Sequence, residues 1–210
     1  NNIVIVGAGG HAAVLLDILH IKGIEPSAMV TQDGTNSSTT NTTPIISEKK
    51  FLSDFNPSEI FLVNGVGSVS KTSLRAKVFN KYKSLGFFFY SLIHPSSTIA
   101  TDVIWGDGVT IMAGAIIQTG CKIGKNVLIN TRASVDHHCS LGDHTHIAPG
   151  ACLSGNVTVS SKAHIGTGAI IIQNKSIGKE SIVGAGSVVI ADVLPNKLVY
   201  GVPAKEKCHD

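Results

Sequence analysis

Aromatic residues are scarce in this 210-residue chain: one Trp, three Tyr and seven Phe, 5% of the total. Its core must therefore be filled by Val, Ile, Leu and Ala. That suits stacked β-structure better than a wide enzyme cavity. Charge is scarce too, at 15% Asp, Glu, Lys and Arg with a net charge of +3. This excludes an electrostatic grip on nucleic acid or an anionic membrane as the main function. No run of eighteen apolar residues occurs, so no membrane-spanning helix is expected. The opening NNIVIVGAGG lacks a basic n-region, so no secretory signal is expected there. The four cysteines (Cys121, Cys139, Cys152, Cys208) form no Cys-x-x-Cys pair and no metal-ligand spacing. Reduced thiols in a cytoplasmic protein, and no metal, are the expectation.

What the chain does have is 22 glycines, a glycine turn near its start and a long repeat. Ile3–Val6 is an apolar run, Gly7-Ala8-Gly9-Gly10 follows, and an apolar-periodic segment runs from His11 to Leu19. This reads as strand, turn, helix. The turn has the form G-x-G-x-x-A at Gly7, Gly9 and Ala12, which lets backbone N–H groups approach a phosphate at a helix N-terminus. Glycines that merely permit tight helix–strand packing are the competing reading. Further strands are predicted near Ala28–Thr31, at Ile60–Val63 and over Phe87–Ile93, with helices at Phe51–Phe55 and Ser70–Leu85. The polar stretch from Gly34 to Thr43 is a loop. The result is a small α/β unit of βαβ, half-Rossmann type, over residues 1–95. Ligands of such sheets gather at the carboxyl ends of the strands, where Gly9, Gly10, His11, Thr31, Gln32, Asp33 and Gly65 would meet. About ninety residues supply one mononucleotide half, so a mononucleotide or nucleotide-sugar is expected rather than a dinucleotide.

From Ile99 the period is six. Apolar residues recur without a gap at Ile99, Trp105, Ile111, Ile117, Ile123, Ile129, Val135, Leu141, Ile147, Leu153, Val159, Ile165, Ile171, Ile177, Val183 and Val189. Four residues after each comes a usually small or β-branched residue, with Lys175 the clear break. Neither helical nor hairpin spacing gives this pattern, and a hexapeptide period marks a parallel β-helix. With three hexads per coil, residues eighteen apart stack about 4.8 Å from one another. Residues 96–190 form this domain and 191–210 a tail. Cys121 and Cys139, eighteen apart at inward small positions, are core filler rather than a bridge.

Five histidines break the monotony: His137, His138, His144, His146 and His164. Any one of them alone is more often inert than functional. The coil length sharpens the set, because Gly155 falls one coil after His137 and His164 one coil after His146. A base beside an exposed glycine N–H is the pairing acyl transfer needs. A zinc hydratase on this scaffold, the γ-class carbonic anhydrase, takes two ligands five residues apart on one coil. None of these histidines has that spacing. A purely structural solenoid, or a dinucleotide oxidoreductase lacking its second half, are the readings from other classes.

Five segments carry a resemblance: IVGAGGH (Ile5–His11), LIHPSS (Leu92–Ser97), SVDHHCSLGDHTHIAPGACLSGNV (Ser134–Val157), IVGAGSVV (Ile182–Val189) and GVPAK (Gly201–Lys205). Together they are similar to bacterial sugar acetyltransferases of the sialic acid O-acetyltransferase type. They are most similar to UDP-4-amino-sugar N-acetyltransferases, typified by the UDP-N-acetylbacillosamine enzymes. The resemblance implies a left-handed β-helix and a homotrimer with acetyl-CoA between adjacent helices. It implies His137 as general base and Gly155 as backbone donor beside the thioester. It also implies a UDP-amino-sugar on Gly9, Gly10, His11, Thr31, Gln32, Asp33 and Gly65. His146, Thr167 and Ala185, with Gly155, would line the cofactor, with the 191–210 tail close by; His164, one coil after His146, joins them by spacing. Sugar O-acetylation is the rival within the family. The resemblance also implies a Glu directly after the base; here that position is His138, which leaves Asp136 or another subunit's carboxylate to orient the imidazole.

Overall fold

The computed structural model describes residues 2–35, 43–68 and 72–207, so Cys208 and most of the predicted polar loop lie outside the described residues. The chain divides into two compact units, Asn1–Gly67 with Leu74–Leu92, and Ser68–Ser73 with Ile93–Asp210.

In the first unit the apolar run near the start forms β1 (Asn2–Val6), and the glycine turn leads into α1 (Gly10–Ile21). β2 (Ala28–Thr31), β3 (Ile45–Ser47), α2 (Glu48–Asp54), β4 (Ile60–Asn64), α3 (Ser73–Ser84) and β5 (Phe88–Phe89) follow. The sheet is parallel, in the order β3-β2-β1-β4-β5. β1 is central and its last four residues are buried, as expected of a strand covered on both faces. β3 was not legible in the sequence, because three residues after a polar stretch carry no period. The single strand predicted over Phe87–Ile93 is corrected. It is two strands, β5 and β6 (Leu92–Ile93), in different sheets. The Tyr90 N–H donates to Leu62 O and so ends the first sheet, whereas the His94 N–H donates to Ile111 O, already one coil ahead.

The second unit is a parallel β-helix, wound left-handed. Seventeen two-residue strands start every six residues, from Leu92–Ile93 to Val188–Val189. The hexapeptide order therefore begins one hexad before Ile99. Register is eighteen residues throughout, for example Ile117↔Val135, Leu141↔Val159 and His146↔His164. Three sheets result, termed here face one (with Ser134–Val135), face two (with Ser140–Leu141) and face three (with His146–Ile147). The second residue of each strand points inward. Ile111, Ile129, Val135, Ile147, Leu153, Ile165, Ile171, Ile177 and Val183 are fully buried in one continuous core. Each such side chain contributes about 1.5–3 kcal/mol of transfer free energy. Trp105 is the exception in the series, 41% exposed on the edge strand of face two. The small residues of the second series, from Val109 through Ala169, lie at the corners of the same core. Residues 191–207 continue the fold. β23 (Leu198–Gly201) joins face three beside Ile182–Val183, and β24 (Ala204–Glu206) pairs with it antiparallel.

The corners also have a period of six. One residue per turn holds a left-handed backbone, φ near 60°: Gly108, Gly114, Gly120, Asn126, Arg132, His138, His144, Gly150, Asn156, Lys162, Gly168, Asn174, Glu180 and Gly186. Gly and Asn dominate because other side chains meet the following carbonyl there. A different glycine series is required by space. A Cβ on Gly166 would stand 2.6 Å from Ala185 N and Val183 O, both backbone of the next coil. Gly166→Ala is therefore expected to cost about 3 kcal/mol or more in urea denaturation. Gly168→Ala, with nothing within 4 Å, costs about 1–2 kcal/mol from its backbone conformation alone.

Candidate functional site

The corner between faces one and two carries Asp136, His137 and His138, all exposed. Coil stacking places Gly155 beneath the His137 ring. A Cβ built there would collide with Cε1 and Nε2 of that imidazole. The Gly155 N–H makes no hydrogen bond among the described residues, whereas its carbonyl accepts from Asn174 N at 3.1 Å. A histidine nitrogen and a backbone N–H without a partner thus share one corner, the ring exposed and the glycine buried beneath it rather than exposed as its spacing suggested; proton removal with oxyanion binding requires such a pair.

Asp136 does not orient the ring. Its Oδ1 accepts the backbone N–H of His137 at 2.7 Å. The imidazole instead meets its neighbour: His137 Nδ1 and His138 Nδ1 are 3.1 Å apart, with the rings at 78°.

The other histidines lie elsewhere on the coil. His146 and His164 project from face three, both buried, with ring centroids 4.8 Å apart. His146 is heavily bonded. Asn130 Nδ2 is 3.1 Å from its Nε2 and Ser68 Oγ is 2.7 Å from its Nδ1. The Asn130 amide is fixed by the Thr131 N–H on its oxygen, so its NH2 donates to Nε2 and His146 carries its proton on Nδ1. His164 Nδ1 is buried without a partner among the described residues, and burial lowers its pKa. His144 is held by Asn126 Nδ2 at 2.9 Å, one coil below. Thr167 and Ala185 are exposed and stack at the corner between faces three and one. Within one chain, then, His137 with Gly155 and the group His146, His164, Thr167 and Ala185 occupy different corners and faces. Among the described residues no cluster of His, Cys, Asp or Glu has the makings of a metal site. Cys121, Cys139 and Cys152 are free thiols, the first two buried in the core.

In the first unit, Gly9, Gly10 and His11 open α1, Thr31, Gln32 and Asp33 end and follow β2, and Gly65 follows β4. Gly9 is the N-cap and no side chain caps the helix. Nothing lies within 4 Å of a Cβ on Gly9 or Gly10, so the approach to these first helical N–H groups is open. Gly65 is different. A Cβ there would press on Ala12 Cβ and Ile5 Cγ2 at 2.8 Å, so its smallness serves helix–strand packing. Asp33 is exposed, and hydrogen bonds, above all from the Thr35 backbone, hold its carboxyl below the usual range.

Arg75 was invisible to sequence patterning. It is fully buried, and its Nη1 donates to Asn64 O at 2.7 Å and Val66 O at 3.0 Å, bracing the turn that carries Gly65. Burial lowers its pKa to about 9. His11 is affected in turn. Burial first, and then the field of Arg75, lower its pKa to about 3, so it is neutral at physiological pH. A histidine depressed in the fold and ordinary when unfolded stabilises fully above pH 6.5 and loses that contribution as pH falls toward 3. The loss is about 1.4 kcal/mol per pH unit. The apparent Tm is therefore expected to fall between pH 6.5 and 5, and His11→Asn to flatten that fall.

Comparison with known proteins matches these features to a family. Residues 2–82 match the model described as PglD N-terminal domain, and residues 120–155 the bacterial transferase hexapeptide of six repeats. No match was found among curated proteins. Among solved structures, PerB from Caulobacter crescentus, in complex with CoA and GDP-perosamine, is 36% identical over 99% of this chain and 98% of its own, with a TM-score of 0.90. The acetyltransferase domain of PglB from Neisseria gonorrhoeae, in complex with acetyl coenzyme A, is 33% identical over 99% and 100%, with a TM-score of 0.89. WeeI from Acinetobacter baumannii is 26% identical over 98% and 99%, also at 0.89. With a glycine-turn α/β unit, a hexapeptide β-helix and full-length likeness above 30% identity, this chain belongs to the sugar N-acetyltransferases of the hexapeptide-repeat acyltransferase superfamily.

Proposed function

We propose that the chain transfers the acetyl group of acetyl-CoA to the 4-amino group of a nucleoside-diphosphate-linked amino sugar, UDP-linked in the first instance. The observation that carries this reading is the His137 imidazole seated over Gly155 with its N–H unused. The uncharged amine attacks the thioester carbonyl and a C–N bond forms. His137 takes the amine proton, and the Gly155 N–H donates to the tetrahedral oxyanion. The C–S bond then breaks and the CoA sulfur leaves with the proton from His137. No metal takes part in these steps. The nucleotide is held at the first unit, its pyrophosphate on the open N–H groups of Gly9, Gly10 and His11. Thr31, Gln32, Asp33 and the Gly65 turn flank the base and ribose. His11, being neutral, contributes a hydrogen bond rather than a charge.

Acetyl-CoA is the co-substrate, supported by the CoA and acetyl-CoA complexes of the similar proteins. The residues assigned to it, His146, Thr167 and Ala185 by resemblance and His164 by its stacking on His146, lie away from the His137 corner of the same chain. One cofactor that meets both sets would lie between two copies, in keeping with the homotrimer that the resemblance implies. The linked nucleotide is the open choice, because PerB was solved with GDP-perosamine. The test is CoA release from acetyl-CoA with UDP- and GDP-linked 4-amino sugars and with free and CMP-linked sialic acid. Turnover with a UDP-amino sugar at least about tenfold above the rest is expected. Turnover confined to sialic acid would establish O-acetylation instead.

A further inference from the structure

The position after the base holds a histidine, and its surroundings give it a role. His138 sits at a left-handed corner with φ 59°. Its ring lies on Gly120, one coil below. A Cβ on Gly120 would stand 2.8 Å from His138 Cδ2 and 3.1 Å from Nε2, so a side chain there would displace the imidazole. The Gly120 N–H is held by Asp102 Oδ2 at 2.9 Å, and the same oxygen accepts from Thr119 Oγ1 at 2.7 Å. Asp102, Gly120 and His138 are thus successive members of one corner column, eighteen residues apart. The Asp102 carboxyl is held below its usual range, first by the Thr119 hydroxyl, then by the Gly120 N–H and by the field of His138.

The geometry points to His138 and Asp102 as positioning residues that fix the tautomer of His137. This rests on the reading of His137 as the base. Two Nδ1 atoms 3.1 Å apart require one to donate and the other to accept. The Cδ2–Nε2 edge of His138 faces Gly120, whose N–H Asp102 accepts, and the field of that carboxylate favours the His138 proton on Nε2, leaving its Nδ1 as acceptor. His137 then donates from Nδ1 and keeps its Nε2 lone pair for the amine. The bond persists once His137 has taken the proton, since its Nδ1–H still donates to His138 Nδ1. The carboxylate acts at one remove, through a second imidazole. Other charges nearby do not compete for the ring: Asp136 is bonded to backbone, and the Cys121 and Cys139 thiols donate inward to Asp136 O and Ser154 O.

The test is a double-mutant cycle on the full chain with a readout of tautomer. His138→Gly removes the ring and suits a corner at which six other coil turns use glycine. It is expected to lower kcat about 10–100-fold with little change in KM for acetyl-CoA. Asp102→Asn is expected to lower kcat about threefold to tenfold alone, and to add no loss to His138→Gly. His138→Glu keeps an acceptor at an angle that Glu180 already adopts (φ 58°). It is expected to restore kcat to within about threefold and to make Asp102→Asn neutral or beneficial, since two carboxylates would then face each other. Nitrogen-15 NMR of the imidazoles is expected to place the His137 proton on Nδ1 in the wild type and to move it to Nε2 in His138→Gly. Equal losses from Asp102→Asn in both backgrounds would mean that Asp102 only holds the Gly120 turn, and would overturn the relay. So would a wild-type His137 protonated on Nε2. If His138→Gly keeps full rate while His137→Ala loses it, the relay fails and the acetyl-transfer reading stands. If His137→Ala also keeps full rate, that reading fails with it.

Discussion

His137→Ala is expected to lower kcat about 10²- to 10⁴-fold, the range lost when a positioned general base is removed. KM for acetyl-CoA should hardly move, because the side chain is exposed at its corner and is not part of the core. Stability should hold for the same reason. The measurement is steady-state CoA release with the accepted amino sugar, alongside a thermal melt. Retention of turnover within about threefold of wild type would remove His137 from the mechanism.

Gly155→Ala is the second large effect, and it separates activity from folding. The added Cβ would occupy the place of the His137 Cε1 and Nε2 atoms. That ring is the free end of an exposed side chain, so it swings away at little cost. The backbone tolerates the change: Thr119, His137 and Gln173 occupy the same column of the turn, and Gly155 is absent from the left-handed positions. Stability is expected to stay within about 1 kcal/mol of wild type, as for most substitutions that leave a core intact. The His137 imidazole is displaced all the same, and kcat is expected to fall about 10²-fold. Gly155→Ala combined with His137→Ala should be no worse than His137→Ala alone, because both remove the same contact. Additive losses would instead mean that the added Cβ acts independently of His137, by blocking access to the Gly155 N–H.

Much of this was legible along the chain because a β-helix is nearly one-dimensional. Each coil repeats one short problem, burying an apolar residue every six, so spacing alone predicts which residues stack. The eighteen-residue register followed from that count, and so did His137 over Gly155. Asp102 and Gly120 under His138 were readable by the same arithmetic. Counting the left-handed Gly and Asn positions at steps of six would have shown that His138 lies on their column. The α/β unit was less legible. Its sheet order depends on crossovers, and β3 and the break between β5 and β6 arise from pairing partners distant in sequence.

By itself, the sequence determined the repeat, its coil length, the inward residues and the identity of the histidine over the glycine. These are properties of spacing, and spacing survives any arrangement of the rest. Tertiary structure alone decided the side-chain directions. Asp136 turns to the backbone, His137 turns to His138, His146 is saturated by Asn130 and Ser68, and Arg75 is sealed under the Gly65 turn. A hydrogen bond depends on the angle and distance between two particular groups, and a histidine's proton depends on which neighbour needs it. Both are set by packing in three dimensions, so a pattern along the chain does not carry them.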